Sequence, residues 1–116
     1  MNVKDITKKV FEVRRSFEEK SLDEKELAQL YYEYNAIEDV DCFISKAREL
    51  FPHLNCGIAS VYLQKLFPKS EIIIGKYKKN NHTFLLLEDA IVVDITADQY
   101  GGPTVYVGRL LKPWEK

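Results

Sequence analysis

The sequence predicts a single α+β domain, with helices first and an antiparallel sheet second. Three observations lead there. Apolar residues recur at steps of three and four until Pro68, which is helical spacing. Runs of β-branched and aromatic residues separated by short turns follow it. Those runs are too closely spaced for the helical crossovers of a parallel sheet. Within the 116 residues, 1–52 form the helical part, and 53–116 form a central helix and the sheet. A chain of this length buries roughly two-thirds of the surface it exposes when unfolded, so its core needs no disulfide or metal staple.

The first helix carries Val3, Ile6, Val10, Val13 and Phe17 as one apolar stripe. Ser21 and Glu24 have capping-box spacing, so a second helix is expected from there to about Ala36, with Leu27, Leu30, Tyr31 and Tyr34 inward. Asp39 or Asp41 starts a third, carrying Val40, Phe43, Ile44, Ala47, Leu50 and Phe51 until Pro52 stops it. The fourth begins near Asn55 and ends at Pro68. Its residues 56–67, CGIASVYLQKLF, include only Gln64 and Lys65 as strongly polar side chains, which marks a buried central helix. Gly57, Ala59 and Ser60 in its first turns admit close approach. Strands are expected over residues 71–78, 82–88, 90–96 and 104–108. Turns are expected at Lys79-Asn80-Asn81, Glu88-Asp89 and Gly101-Gly102-Pro103, the first because Asn tolerates positive φ.

Composition narrows the functions open to this fold. Apolar residues make up 46% of the chain and charged residues 30%, the balance of an ordinary folded domain. Lys plus Arg (17) nearly cancels Asp plus Glu (18), and a net charge of −1 supplies no basic field for nucleic acid or a membrane surface. Two cysteines are too few for a disulfide-dense secreted scaffold. The first twenty residues hold no apolar signal core, and no stretch approaches the ~20 apolar residues of a membrane span. The expectation is a soluble, cytoplasmic domain.

Three residues stand out chemically. Cys56 opens the most apolar helix, where free N–H groups and the helix dipole favour a thiolate and can hold an oxyanion; read blandly, it is a small core residue. His82 opens a strand after a polar turn, a rigid mounting for a general base or an ordinary surface histidine. Asp94 interrupts the apolar run Ile91-Val92-Val93-Asp94-Ile95, where an unpaired carboxylate is costly. If residues 85–87 pair back through a turn near 87–90, Asp94 falls opposite or diagonal to His82, and some registers put both on one face. A carboxylate there fixes the imidazole tautomer; the alternative is that Asp94 caps the following turn near Thr96 and Asp98.

In order and spacing, Asn55-Cys56-Gly57 opening a helix, His82-Thr83-Phe84 opening a strand and residues 93–99 (VDITADQ) on the next resemble the papain-like cysteine enzymes, most nearly the transglutaminase-like branch. The resemblance covers about residues 53–108. It implies a papain-like core, a nucleophile at Cys56, a base at His82 and an orienting carboxylate at Asp94. It further implies acyl transfer through a thioester on a protein or peptide substrate, without cofactor or metal. Papain-type proteases place a glutamine about six residues before the nucleophile, where this chain has Leu50; Asn55, Gln99 or backbone N–H groups are the replacements at hand. The shortness of the chain favours a minimal deamidase or narrow amidase, such as bacterial effector and toxin domains of this superfamily, over a general protease.

Other constellations are weaker. His53, Cys56, Cys42 and His82 contain zinc-ligand atoms but lack paired ligand spacing, and Cys42 is expected to pack inside its helix. Lys76, Lys78 and Lys79 form a solvated hairpin tip or favour an acidic substrate. Tyr31, Tyr32 and Tyr34 pack a helix face rather than build a nucleic-acid platform. Gly101-Gly102-Pro103 reads as a turn, not a phosphate cradle, because no helix follows it. The competing reading from another class is a non-catalytic interaction or regulatory domain, with the N-terminal helix and its Phe11 and Phe17 as the partner surface.

Overall fold

The computed structural model describes residues 2–116. It is an α+β fold, four helices packed on a curled five-stranded antiparallel sheet. The helices are α1 (Val3–Glu18), α2 (Glu24–Tyr34), α3 (Val40–Leu50) and α4 (Cys56–Leu66). The strands are β1 (Ser70–Tyr77), β2 (Asn80–Leu87), β3 (Ile91–Asp94), β4 (Tyr106–Arg109) and β5 (Trp114–Glu115), in the order β4-β3-β2-β1-β5. No described helix is long and apolar enough to cross a membrane.

The helical stripes form with local departures. Ile6, Val10, Val13 and Phe17 of α1 are buried, while Val3 at its start is exposed and so is Phe11. Asp23, not Ser21, caps α2: its Oδ1 accepts from the Lys25 and Glu26 N–H groups at 2.8 and 3.4 Å. A carboxylate one residue before the helix reaches those donors directly, and the Ser21 hydroxyl turns back to the Ser16 carbonyl instead. Leu27 and Ala28 carry the buried face of α2, and Tyr34, expected inward, lies exposed. On α3, Ile44 and Ala47 are buried, but Leu50 is exposed; Cys42 points to solvent rather than into the core. α4 is the central helix expected, with Ile58, Ala59, Ser60, Val61 and Leu63 buried and contacts to α2, β1 and β2.

The hairpin between β1 and β2 differs from expectation in its turn. Tyr77 pairs with Asn80, so the two loop residues are Lys78 and Lys79, both at positive φ (51° and 76°). The cross-strand apolar pairs Ile73–Phe84 and Ile72–Leu85 fix the register, and a one-residue slip toward the asparagines would turn them to the wrong face. After β2 a single 3-10 turn, Glu88–Ala90, returns the chain to β3. β4 starts two residues later than expected, and β5 had no counterpart in the sequence reading.

Strand alternation divides the core in two. Leu85, Val93 and Ile95 face the helices. Ile73, Tyr77, Phe84, Leu86 and Val92 face the other way and are covered by Ala97, Tyr100, Tyr106, Leu110 and Trp114 from the last part of the chain. β4 and β5 lie at opposite edges of the sheet, yet the rings of Tyr106 and Trp114 stack with centroids 3.9 Å apart. Edges of a flat sheet could not meet; the sheet curls until they do.

Candidate active site

The site lies where α4 begins, β2 begins and β3 ends. Extending the pair Leu85–Val93 by one residue sets Asp94 across from Phe84, with His82 as its diagonal neighbour on the same face. His82 Nε2 and Asp94 Oδ2 are 2.6 Å apart, and both side chains are almost wholly buried. Asp94 is fully engaged: Oδ2 also accepts from the Trp114 indole N–H at 2.8 Å, and Oδ1 from the Thr96 N–H at 2.9 Å and hydroxyl at 3.3 Å. Asp94 therefore makes both of the contacts weighed from the sequence, one oxygen meeting His82 and the other capping the next turn. Tyr77, Phe84 and Tyr100 surround the imidazole at centroid distances of 6.1, 6.3 and 5.5 Å.

The other ring nitrogen, Nδ1, is sealed from solvent and has no closed hydrogen bond. The half-buried Cys56 thiol lies close enough to the imidazole for each to influence the other's ionisation. Burial opposes ionisation of Cys56, but His82 and the Thr83 N–H outweigh it and hold the thiol below its ordinary pKa. Burial likewise opposes protonation of His82, and Asp94 together with Cys56 overcomes it, raising the imidazole to about 9. Both shifts favour thiolate beside imidazolium.

The Thr83 contact follows from strand geometry. Tyr77–Asn80 closes the two-residue hairpin, so ladder bonds alternate and the Thr83 N–H turns away from β1. On that side β3 pairing stops at Leu85–Val93, which leaves this edge N–H unpaired by β3 and able to favour the Cys56 thiolate. The segment leading to Cys56 is held by Asn55, whose buried amide nitrogen donates to the Ala47 and His53 carbonyls, each at 2.8 Å. Leu54 before it takes a left-handed φ of 68°.

The structure thus brings Cys56, His82 and Asp94 together. It turns Asn55 away from an oxyanion role, because its amide protons already serve two carbonyls. Gln99 sits in the 3-10 turn Ala97–Tyr100, and its amide nitrogen is buried without a partner. Thr83, Tyr100 and Trp114 were not singled out from sequence. A strand outrunning its short neighbour points to Thr83 in principle, whereas only the curl of the sheet delivers Trp114 to Asp94. Among the described residues no three His, Cys, Asp or Glu side chains cluster as metal ligands, and His53 and Cys42 lie exposed. Comparison with protein-family models, curated proteins and solved structures finds no match to this chain.

Proposed function

We propose that the protein is a thiol-dependent acyl-transfer enzyme that cleaves an amide bond through a Cys56 thioester, as a deamidase or narrow-specificity amidase or peptidase with a minimal papain-like or transglutaminase-like site. The observation that carries this reading is the buried pair Asp94–His82 beside the half-buried Cys56 thiol, with one imidazole nitrogen held by the carboxylate and the other left unbonded. A structural histidine gains nothing from leaving Nδ1 sealed and unbonded. In the proposed reaction the Cys56 thiolate attacks the carbonyl carbon and His82 gives its proton to the departing amine. His82 then activates water or another amine to resolve the thioester, while Asp94 stabilises the imidazolium.

Iodoacetamide alkylation of Cys56 tests the nucleophile directly. The rate should follow a pKa below the ordinary thiol value and should drop on His82→Ala at pH 7. An ordinary thiol titration, unchanged in His82→Ala, would overturn the proposal.

A further inference from the structure

Leu50 stands where papain-type proteases place a glutamine, and the amide protons of Asn55 already serve two carbonyls, so the geometry points to another residue. We propose that the Tyr31 hydroxyl donates to the oxyanion formed when Cys56 attacks a carbonyl carbon, beside the free backbone N–H groups of the first turn of α4; this rests on the function proposed above.

Tyr31 stands on α2 and reaches across to the start of α4. A Cβ placed on Gly57 would lie 3.3 Å from Tyr31 Cε1 and 3.5 Å from its Oη. Helical Cβ atoms tilt toward the N-terminus, so the phenol lies over the end of α4 that carries Cys56. That end has no side-chain cap, and the first intrahelical bond is made by the Ala59 N–H to the Asn55 carbonyl at 2.8 Å. The N–H groups of Cys56, Gly57 and Ile58 precede it and are free of intrahelical partners. Gly57 lets the phenol come this close, since a side chain there would press on the ring.

The phenol is both fixed and unoccupied as a donor. Its ring packs on Phe43 and Tyr34 at centroid distances of 5.4 and 6.0 Å. Its Oη accepts from Asn35 Nδ2 at 3.4 Å, which leaves its own proton for another acceptor. Tyr34, beside it, feels charge on both Tyr31 and Cys56, so the three groups share one electrostatic neighbourhood. During attack the sulfur–carbon bond forms and the carbonyl π pair moves onto oxygen, while the thiol proton already resides on His82. Collapse returns that pair and expels the amine, protonated by His82. Only in the tetrahedral stage does a full charge sit on oxygen, and only then does the phenol O–H strengthen its bond.

The test compares two reactions of the same thiolate. Alkylation by iodoacetamide displaces iodide and builds no oxyanion; acylation by p-nitrophenyl acetate passes through one. Tyr31→Phe keeps the ring, so alkylation should match the parent protein while acylation slows on the order of 10²-fold. Equal acylation rates, or a parallel fall in both reactions, would overturn the role of Tyr31. Slow alkylation of the parent protein itself would instead remove the nucleophile proposal on which it rests.

Discussion

Asp94 is a carboxylate placed in the middle of an apolar sheet, and it is tolerated because His82, Trp114 and Thr96 together satisfy it. The consequence is electrostatic control over a residue that Asp94 does not touch. Its charge is a main reason that the His82 pKa stands at about 9, and the resulting imidazolium helps to depress Cys56. Asp94→Asn removes that charge while keeping the shape. His82 then falls back toward its ordinary value, Cys56 rises, and the alkylation profile moves to higher pH. At pH 7 the variant should react more slowly; at a pH above both thiol pKa values the two proteins should react alike. A pH series with iodoacetamide reads this shift, and an unmoved profile would detach Asp94 from the thiol. Asp94 was visible in the sequence as the one charge in an apolar run. Trp114 was not, because nothing local links residues twenty positions apart whose strands lie on opposite sides of the sheet order.

At the level of elements, the Arg14 side chain ties α1 to the segment after Asp94 through polar contacts. Arg14 is buried, and its guanidinium donates to both Asp98 oxygens at 2.8 and 3.0 Å and to the Ile95 and Thr104 carbonyls at 2.7 and 3.3 Å. The same group lies 4.7 Å from the centroid of Phe51, in the segment that runs toward Cys56. Arg14 therefore bridges the chain entering Cys56 and the chain leaving Asp94. Arg14→Met retains the apolar stem but strands a half-buried carboxylate and two carbonyls, and should lower unfolding free energy by about 3 kcal/mol in urea titrations. Arg14→Lys should recover only part of that, because an ammonium cannot reproduce the two-pronged contact; a full recovery would show that charge alone matters. Nothing local marks Arg14, between Val13 and Arg15, for this role, because its partners lie more than eighty residues away. The helices were legible from their spacing, since a stripe of four or five apolar residues outweighs local preference. The hairpin turn was not, because cross-strand packing placed it on two lysines against the preference of the neighbouring asparagines.

The whole molecule closes over its own charge pair. The curl that stacks Trp114 on Tyr106 seals the concave face, so His82 titrates inside the protein and the fold becomes linked to pH. The His82 pKa is raised from 6.5 to about 9, so its contribution to stability is complete below 6.5 and is lost as pH climbs toward 9. Cys56 has the opposite sign: its pKa is lowered, so its contribution grows as pH rises toward the ordinary thiol value. In the parent protein the two partly cancel. Cys56→Ala separates them. It removes the thiol's titration and its share of the His82 shift, leaving the imidazole raised by Asp94 alone. Urea unfolding of that variant should show stability falling as pH increases from 6.5, in a window that closes below 9, and steeper than in the parent protein. Adding His82→Gln should flatten the curve across the same window. A Cys56→Ala curve already flat there would mean that Asp94 alone does not raise His82.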